Sequence, residues 1–284
     1  MPPLISVKHR DGILHIPQDT LNDWPMAQFA NTKDRGIVVK ALGLELTSAF
    51  LSIFDAQSQQ IIGEEALLRA SVRRKALATS EVFKSAQGGD CLVEFDRLCR
   101  SLHLMNHLAG PYPKRTLFLN VYPELLMSTG EQHADAFERI LQDQGLSPKD
   151  IVLEIFESTV LPDQTARLAK AIKSYRERGY RIAIDDYGFL NSNLSRLLTL
   201  SPEIVKLDRI VINAISKEPL AQELLCQFVE RLHDNGSLVV IEGINSAEQL
   251  TLAQASGADM MQGYFLSEPR HLSSEAFVHV LASS

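Results

Sequence analysis

A chain of 284 residues, 45% hydrophobic and 22% charged, has room for one β/α barrel or two small domains and the composition of an ordinary globule. Its net charge of -7 excludes a dedicated binder of nucleic-acid polymers, which needs a basic face, and no apolar run approaches the roughly 20 residues of a membrane span. Three cysteines without metal-ligand spacing read as free thiols of a reducing, cytoplasmic compartment, and the stretch from Met1 to Gly12 lacks the regions of a signal peptide.

Residues 1–45, punctuated by Pro2, Pro3, Pro17 and Pro25, read as an N-terminal arm or cap, and residues 46–284 as the main domain. Apolar runs at 49–54 and 61–68 flank a polar turn at 57–60, the pattern of an antiparallel hairpin. Leu92, Phe95, Leu98, Leu102 and Met105 recur at helical spacing until Gly110-Pro111 stops the helix. Strands are then expected at 116–121, 151–155, 181–184, 204–207, 238–241 and 260–265. Helices are expected between them, near 132–143, 162–178, 194–200, 220–235 and 247–256. A closing helix at 273–282 has Ser273 as its N-cap.

Such alternation builds parallel sheet. Its length and number of units fit a closed TIM barrel of the (β/α)8 type, modified by an antiparallel strand near the start. An open doubly wound sheet would show a Gly-rich phosphate loop after its first strand. Gly88-Gly89 instead follows a polar helical stretch and reads as a loop.

A β/α barrel carries its site at the carboxyl ends of its strands. Those ends hold Glu65, Asn120, Glu154, Asp185, Asp186, Lys206, Glu242 and Gln262. Converging carboxylates repel one another unless a cation is present, and a divalent metal removes that cost. Oxygen ligands suit Mg²⁺ or Mn²⁺ better than zinc, and none of the eight histidines falls at a strand end. Asp185-Asp186 taken alone could be a helix-capping acid beside a surface acid. With its neighbours it offers one bridging and one terminal carboxylate for two metals. Lys206 would otherwise be a salt-bridge partner. The planar fork of Arg69 suits a phosphate.

These residues sit in seven short motifs: Glu-Ala-Leu-Leu-Arg at 65–69, Leu-Asn-Val at 119–121, Leu-Glu-Ile-Phe-Glu-Ser at 153–158, Ile-Asp-Asp-Tyr-Gly at 184–188, Val-Lys-Leu-Asp at 205–208, Ile-Glu-Gly at 241–243 and Gln-Gly-Tyr at 262–264. In this order the set resembles the EAL family of cyclic di-GMP phosphodiesterases, from about Leu51 to Pro269. The resemblance implies that Glu65, Asn120, Glu154 and Asp185 bind one metal and that Asp185, Asp186 and Glu242 hold a second. Lys206 and Glu242 would be the catalytic groups, Lys206 by contacting the attacking water. Arg69, Asp208 and Gln262 would serve the substrate, and Glu157 would brace the loop after Asp186. The implied reaction is metal-assisted hydrolysis of cyclic di-GMP to linear pGpG, carried out by a homodimer.

The chain departs from the family pattern in places. The loop after the Asp pair runs Tyr187-Gly188-Phe189-Leu190-Asn191-Ser192-Asn193, where the family carries small and Gly residues. Leu51 and Ser52 replace a Gln-Pro pair, and Asn245 replaces a glutamate. These departures support a second reading, a cyclic di-GMP receptor or protein-interaction module that has lost catalysis. A third is another metal-dependent barrel hydrolase. No cyclase or sensor domain is visible in the chain.

Overall fold

In the computed structural model, residues 5–9, 12–16, 27–32, 34–88, 92–128, 135–143, 145–156, 160–188, 192–215 and 219–272 are described. β1 (Ile5–His9) and β2 (Gly12–Ile16) form a separate antiparallel hairpin. β3 (Gln28–Thr32), β4 (Gly36–Ala41), β5 (Leu44–Asp55), β6 (Ile61–Val72) and β7 (Lys75–Leu77) follow as an antiparallel meander. Two of its turns are two-residue hairpin loops with both residues at positive φ, Leu42-Gly43 and Arg73-Arg74, a conformation that matches strand twist.

Helices α1 (Thr79–Gly88) and α2 (Leu92–Leu108) cross to β8 (Thr116–Asn120), and parallel strands take over. α3 (Pro123–Ser128) and α4 (Asp135–Asp143) lead to β9 (Ile151–Phe156), and α5 (Thr165–Glu177) leads to β10 (Arg181–Tyr187). α6 (Leu194–Leu200) precedes β11 (Ile204–Leu207). α7 (Arg209–Ile215) and α8 (Pro219–Asp234) precede β12 (Leu238–Ile241), and α9 (Ala247–Ala255) precedes β13 (Met260–Met261). β13 pairs antiparallel with β5, and β5 pairs with β6, so strands β5, β6 and β8 to β13 close an eight-stranded barrel. This is the expected modified TIM barrel, with β5 as the reversed strand.

The barrel floor is one apolar layer: Ile53, Phe118, Val152, Ala183, Ile204, Val240 and Met260, each from a different strand. β6 contributes Gly63, where a Cβ would lie 2.8 Å from the Phe118 ring. The absent side chain is what lets that ring fill the centre. Ile37, Val39, Leu46, Leu68 and Ala70 face the other way and join α1 and α2 in the main core.

Several elements differ from expectation. β5 and β6 are 12 residues each and outrun the barrel, so β4 pairs with β5, β7 pairs with β6, and β3 adds on beyond β4. The sheet therefore continues across residue 45, with Val39 opposite Leu46. The last strand stops after Met261, because the Gly263 backbone packs against Ile244 (a Cβ there would be 2.2 Å from the Ile244 carbonyl oxygen) and the chain turns. α7 was not anticipated. The closing helix expected at 273–282 lies outside the described residues. Among the described residues, no helix is long and apolar enough to cross a membrane.

A polar seam ties α2 to the sheet. Asn106 accepts from the Ile37 amide (2.8 Å) and donates to its carbonyl (2.9 Å), completing strand-like pairing with one side chain. Ser48 Oγ accepts from Asn106 Nδ2 at 3.3 Å and shares a hydrogen bond with His103 Nδ1 at 2.8 Å. Burial, helped by the charge of Arg69, pushes the His103 pKa down to about 3. The folded pKa is below the unfolded one, so the unfolded chain takes up the proton first. Stability is then full above about pH 6.5 and is lost as pH falls toward 3. Urea unfolding at pH 7 and at pH 5 should differ by about 2 kcal/mol from this one histidine. His103→Gln should change that difference by about the same amount; an unchanged difference would contradict the assignment.

Candidate metal centre at the barrel mouth

Side chains alternate along a strand, so the residue two positions beyond each floor residue points inward one layer higher. From Gly63, Phe118, Val152, Ala183, Ile204, Val240 and Met260 this gives Glu65, Asn120, Glu154, Asp185, Lys206, Glu242 and Gln262. All are candidates expected from the sequence. The reversed β5 places Leu51 in the same layer, opposite Glu65.

Lys206 is fully buried at the centre. Its Nζ lies 2.7 Å from Glu154, 2.7 Å from Glu242, 3.1 Å from Asp185 and 3.2 Å from Glu65. Burial alone would lower its pKa, but the surrounding carboxylates outweigh burial and hold it well above the usual lysine range. Glu65 accepts from Gln262 Nε2 at 2.9 Å and from Asn120 Nδ2 at 3.3 Å. Burial pushes Glu65 upward, yet Lys206, Gln262 and Asn120 together leave it below its ordinary value. Burial pushes Glu154 and Glu242 well above theirs, and raises Asp185. One ammonium does not balance the whole set.

Asp186 breaks the alternation. The β10–β11 register shifts between Ile184 and Tyr187, and Asp186 takes φ 56°. This bulge turns two adjacent aspartates to one mouth. Burial, then Asp185 and Asp208, push the Asp186 pKa up to about 7. Asp208 caps the start of α7 by accepting from the Ile210 amide at 2.6 Å.

The donor set fits divalent metal. Oxygens of Glu65, Glu154 and Asp185 lie within 4.8 Å of one another, as do those of Asp185, Asp186 and Glu242, with Asp185 common to both groups. Asn120 Oδ1 and Glu154 Oε2 are buried with no hydrogen-bond partner among the described residues. Buried oxygens without partners suit a hard cation.

Above the ring opens a pocket of about 460 Å³, lined in part by Leu51, Asp208, Arg209, Asn245 and Tyr264. Tyr264 stands 60% exposed at its rim. Arg69 is on the same face of β6 as Glu65 but outside this lining, and its guanidinium donates to the Leu68 carbonyl at 3.2 Å. Glu157 and residues 189–191 lie outside the described residues. Arg209 went unnoticed in the sequence, where the only signal was its place directly after the Asp208 motif.

The EAL domain family matches residues 38–269. The Bacillus subtilis EAL-domain protein YkuI is 27% identical over 225 residues, covering 78% of this chain and 54% of that protein. Its structure with c-di-GMP and calcium superposes with a TM-score of 0.67 at 26% identity, over 81% of this chain and 57% of that one. Escherichia coli PdeD, named a probable cyclic di-GMP phosphodiesterase, is 26% identical over 78% of this chain and 41% of its own length. The calcium and cyclic di-GMP complex of Klebsiella pneumoniae BlrP1 gives a TM-score of 0.72 at 25% identity, covering 82% of this chain and 57% of that one. The chain thus spans about half the length of the curated relatives it matches.

Removing Lys206 strands buried carboxylates without their cation. Lys206→Met should cost about 3–5 kcal/mol of stability in EDTA, and Mn²⁺ should recover much of it. Thermal unfolding with EDTA and with Mn²⁺ checks this; no loss in EDTA would show that Lys206 does not balance the ring, and an equal loss in both that Mn²⁺ does not replace its charge.

Proposed function

The chain belongs to the EAL domain family, and on that premise we propose that it is a metal-dependent phosphodiesterase converting cyclic di-GMP to linear pGpG. The carrying observation is the complete ring: Glu65, Asn120, Glu154, Asp185, Asp186 and Glu242 meet at one mouth, with Asp185 shared between two oxygen clusters. The naming of PdeD as a probable cyclic di-GMP phosphodiesterase and the cyclic di-GMP complexes of YkuI and BlrP1 support the choice of nucleotide.

In this reading Glu65, Asn120, Glu154 and Asp185 hold one Mg²⁺ or Mn²⁺, and Asp185, Asp186 and Glu242 hold the other. When bound, such ions lower the pKa of water and offset charge on phosphoryl and leaving oxygens. Lys206, already against four of these carboxylates, donates to the attacking water and aligns it with the ester bond. Glu242 keeps the lysine in place from the next strand. Gln262 holds Glu65 at the height of the ring. Asp208, fixed by the α7 amide, faces the substrate beside Asp186. Arg209 supplies a cation at the rim for the second phosphate, while Tyr264 and Leu51 offer apolar faces to the guanines. Arg69 would reach substrate from above the pocket, and Glu157 would brace the loop after β10. A homodimer in the cytoplasm is part of the same proposal.

Leu51 and Asn245 both line the pocket, and they are positions where the chain departs from its family. That favours, as the second reading, a receptor that binds the nucleotide without cleaving it.

Incubation of the purified protein with cyclic di-GMP in Mn²⁺, Mg²⁺ or EDTA, followed by chromatography, separates the two. The expected outcome is pGpG with metal and none in EDTA, with Asp185→Asn slower by about 100-fold or more. Saturable binding in Ca²⁺ without pGpG in Mn²⁺ would establish the receptor instead. Arg209→Ala should raise KM about 10-fold with kcat little changed, as expected for loss of a binding contact; a fall in kcat alone would place Arg209 in the chemical step.

A further inference from the structure

Behind the ring, on the outer face of the barrel wall, lies a second buried polar cluster that the reaction does not use. Glu64 directly precedes Glu65 on β6 and is 1% exposed, pointing away from the barrel interior toward α2. One carboxylate oxygen pairs with Arg270, which is 5% exposed. The other lies 3.1 Å from His107 Nδ1, and His107 Nε2 lies 3.2 Å from the Arg115 carbonyl. Arg270 is held by its backbone too: its amide donates to the Phe50 carbonyl at 2.9 Å, and its carbonyl accepts from the Phe50 amide at 2.8 Å. Its guanidinium stands 5.6 Å from the Phe50 ring centre and 5.3 Å from that of Tyr112.

The cluster joins the two segments whose inner faces meet in the ring. β6 carries Glu65, and the chain from Gln262 to Arg270 carries Gln262, whose Nε2 donates to Glu65 at 2.9 Å. Inside the wall Glu65 meets Gln262; outside it Glu64 meets Arg270. The location matters because the β5–β6 register is irregular just below, between Ile53 and Phe54, so that Gly63 and Ile61 both have partners while Ile62 is skipped. A one-residue slip there would turn Glu65 to the outer face. A buried ion pair contributes little stability that an apolar pair would not, so packing alone does not call for these charges. A Glu–Arg pair is directional, and it ties one register.

We propose that Glu64, Arg270 and His107 are positioning residues of the metal centre: they set the face and height of Glu65 and Gln262, and through them the affinity for the first ion. This rests on the reading of the ring as a metal site.

The single variants Glu64→Met and Arg270→Met leave a buried charge without its partner and test folding more than function. The double variant Glu64→Met/Arg270→Met replaces both charges with apolar groups of similar length and keeps the wall packed. It should melt at or above the parent temperature and bind Mn²⁺ about 10-fold more weakly by calorimetry. Its kcat should fall with little change in KM. Parent-like Mn²⁺ affinity in a folded double variant would overturn the proposal and leave the pair a mere staple. If the double variant melts early, Arg270→Lys keeps the charge but moves the donor, and parent-like Mn²⁺ affinity there overturns it equally. A parent protein that binds Mn²⁺ but yields no pGpG would sink the phosphodiesterase reading and leave this comparison of affinities intact.

Discussion

One buried ammonium decides what the barrel mouth can be. Lys206 lies within 3.2 Å of four carboxylates, from β6, β9, β10 and the end of β12. Without a cation at that point, the inward carboxylates of these four strands would repel one another in a low-dielectric interior. Lys206 allows the wall to close, and its one charge leaves part of the carboxylate set unbalanced. Lys206 is also why the burial of Glu154 and Glu242, which raises their pKa values, does not force the whole ring to neutral.

The layer below gives the ring its geometry. Seven apolar side chains fill the floor, and two residues after six of them, and after Gly63, the strand pleat delivers a polar side chain. Because the floor is close-packed, the heights of the polar side chains above it follow from the heights of Phe118, Val152, Ala183 and their neighbours. Asp186 is the exception, and it needs a register shift and a positive φ to join its predecessor. Such strain is characteristic of places where a backbone serves a site.

Most of this was legible because period-two alternation and strand ends are both visible in a linear sequence. Asn120, Asp185, Glu242 and Gln262 announce themselves as polar residues closing apolar runs and Glu154 and Lys206 as polar breaks within them, whereas Glu65 stands inside β6 and shows through its Glu-Ala-Leu-Leu-Arg motif. What stayed hidden has physical causes. β5 and β6 are buried on both faces where the barrel and its extension overlap, so their full length shows no clean alternation. The final strand looked longer because Phe265 and Leu266 are apolar, yet they follow a turn imposed by the close approach of Gly263 to Ile244. Glu64 was masked by its neighbour: beside an inward acid, alternation assigns the next acid to solvent, and only α2 with Arg270 makes that side an interior. Arg209 falls on a helix start that no apolar period marks.

The reversal of β5 also decides the polarity with which the chain enters the domain. In a barrel whose strands all run parallel, the first strand begins at the floor end, away from the chemistry. Here β5 descends: Glu45 lies opposite Ser71, and Leu51 opposite Glu65. β3 begins at the same upper level, with Gln28 opposite Lys40 and Lys40 opposite Glu45. The chain at Gln28 therefore enters the sheet on the mouth side of the barrel, at the level of Glu45 and Ser71, and not on the floor side.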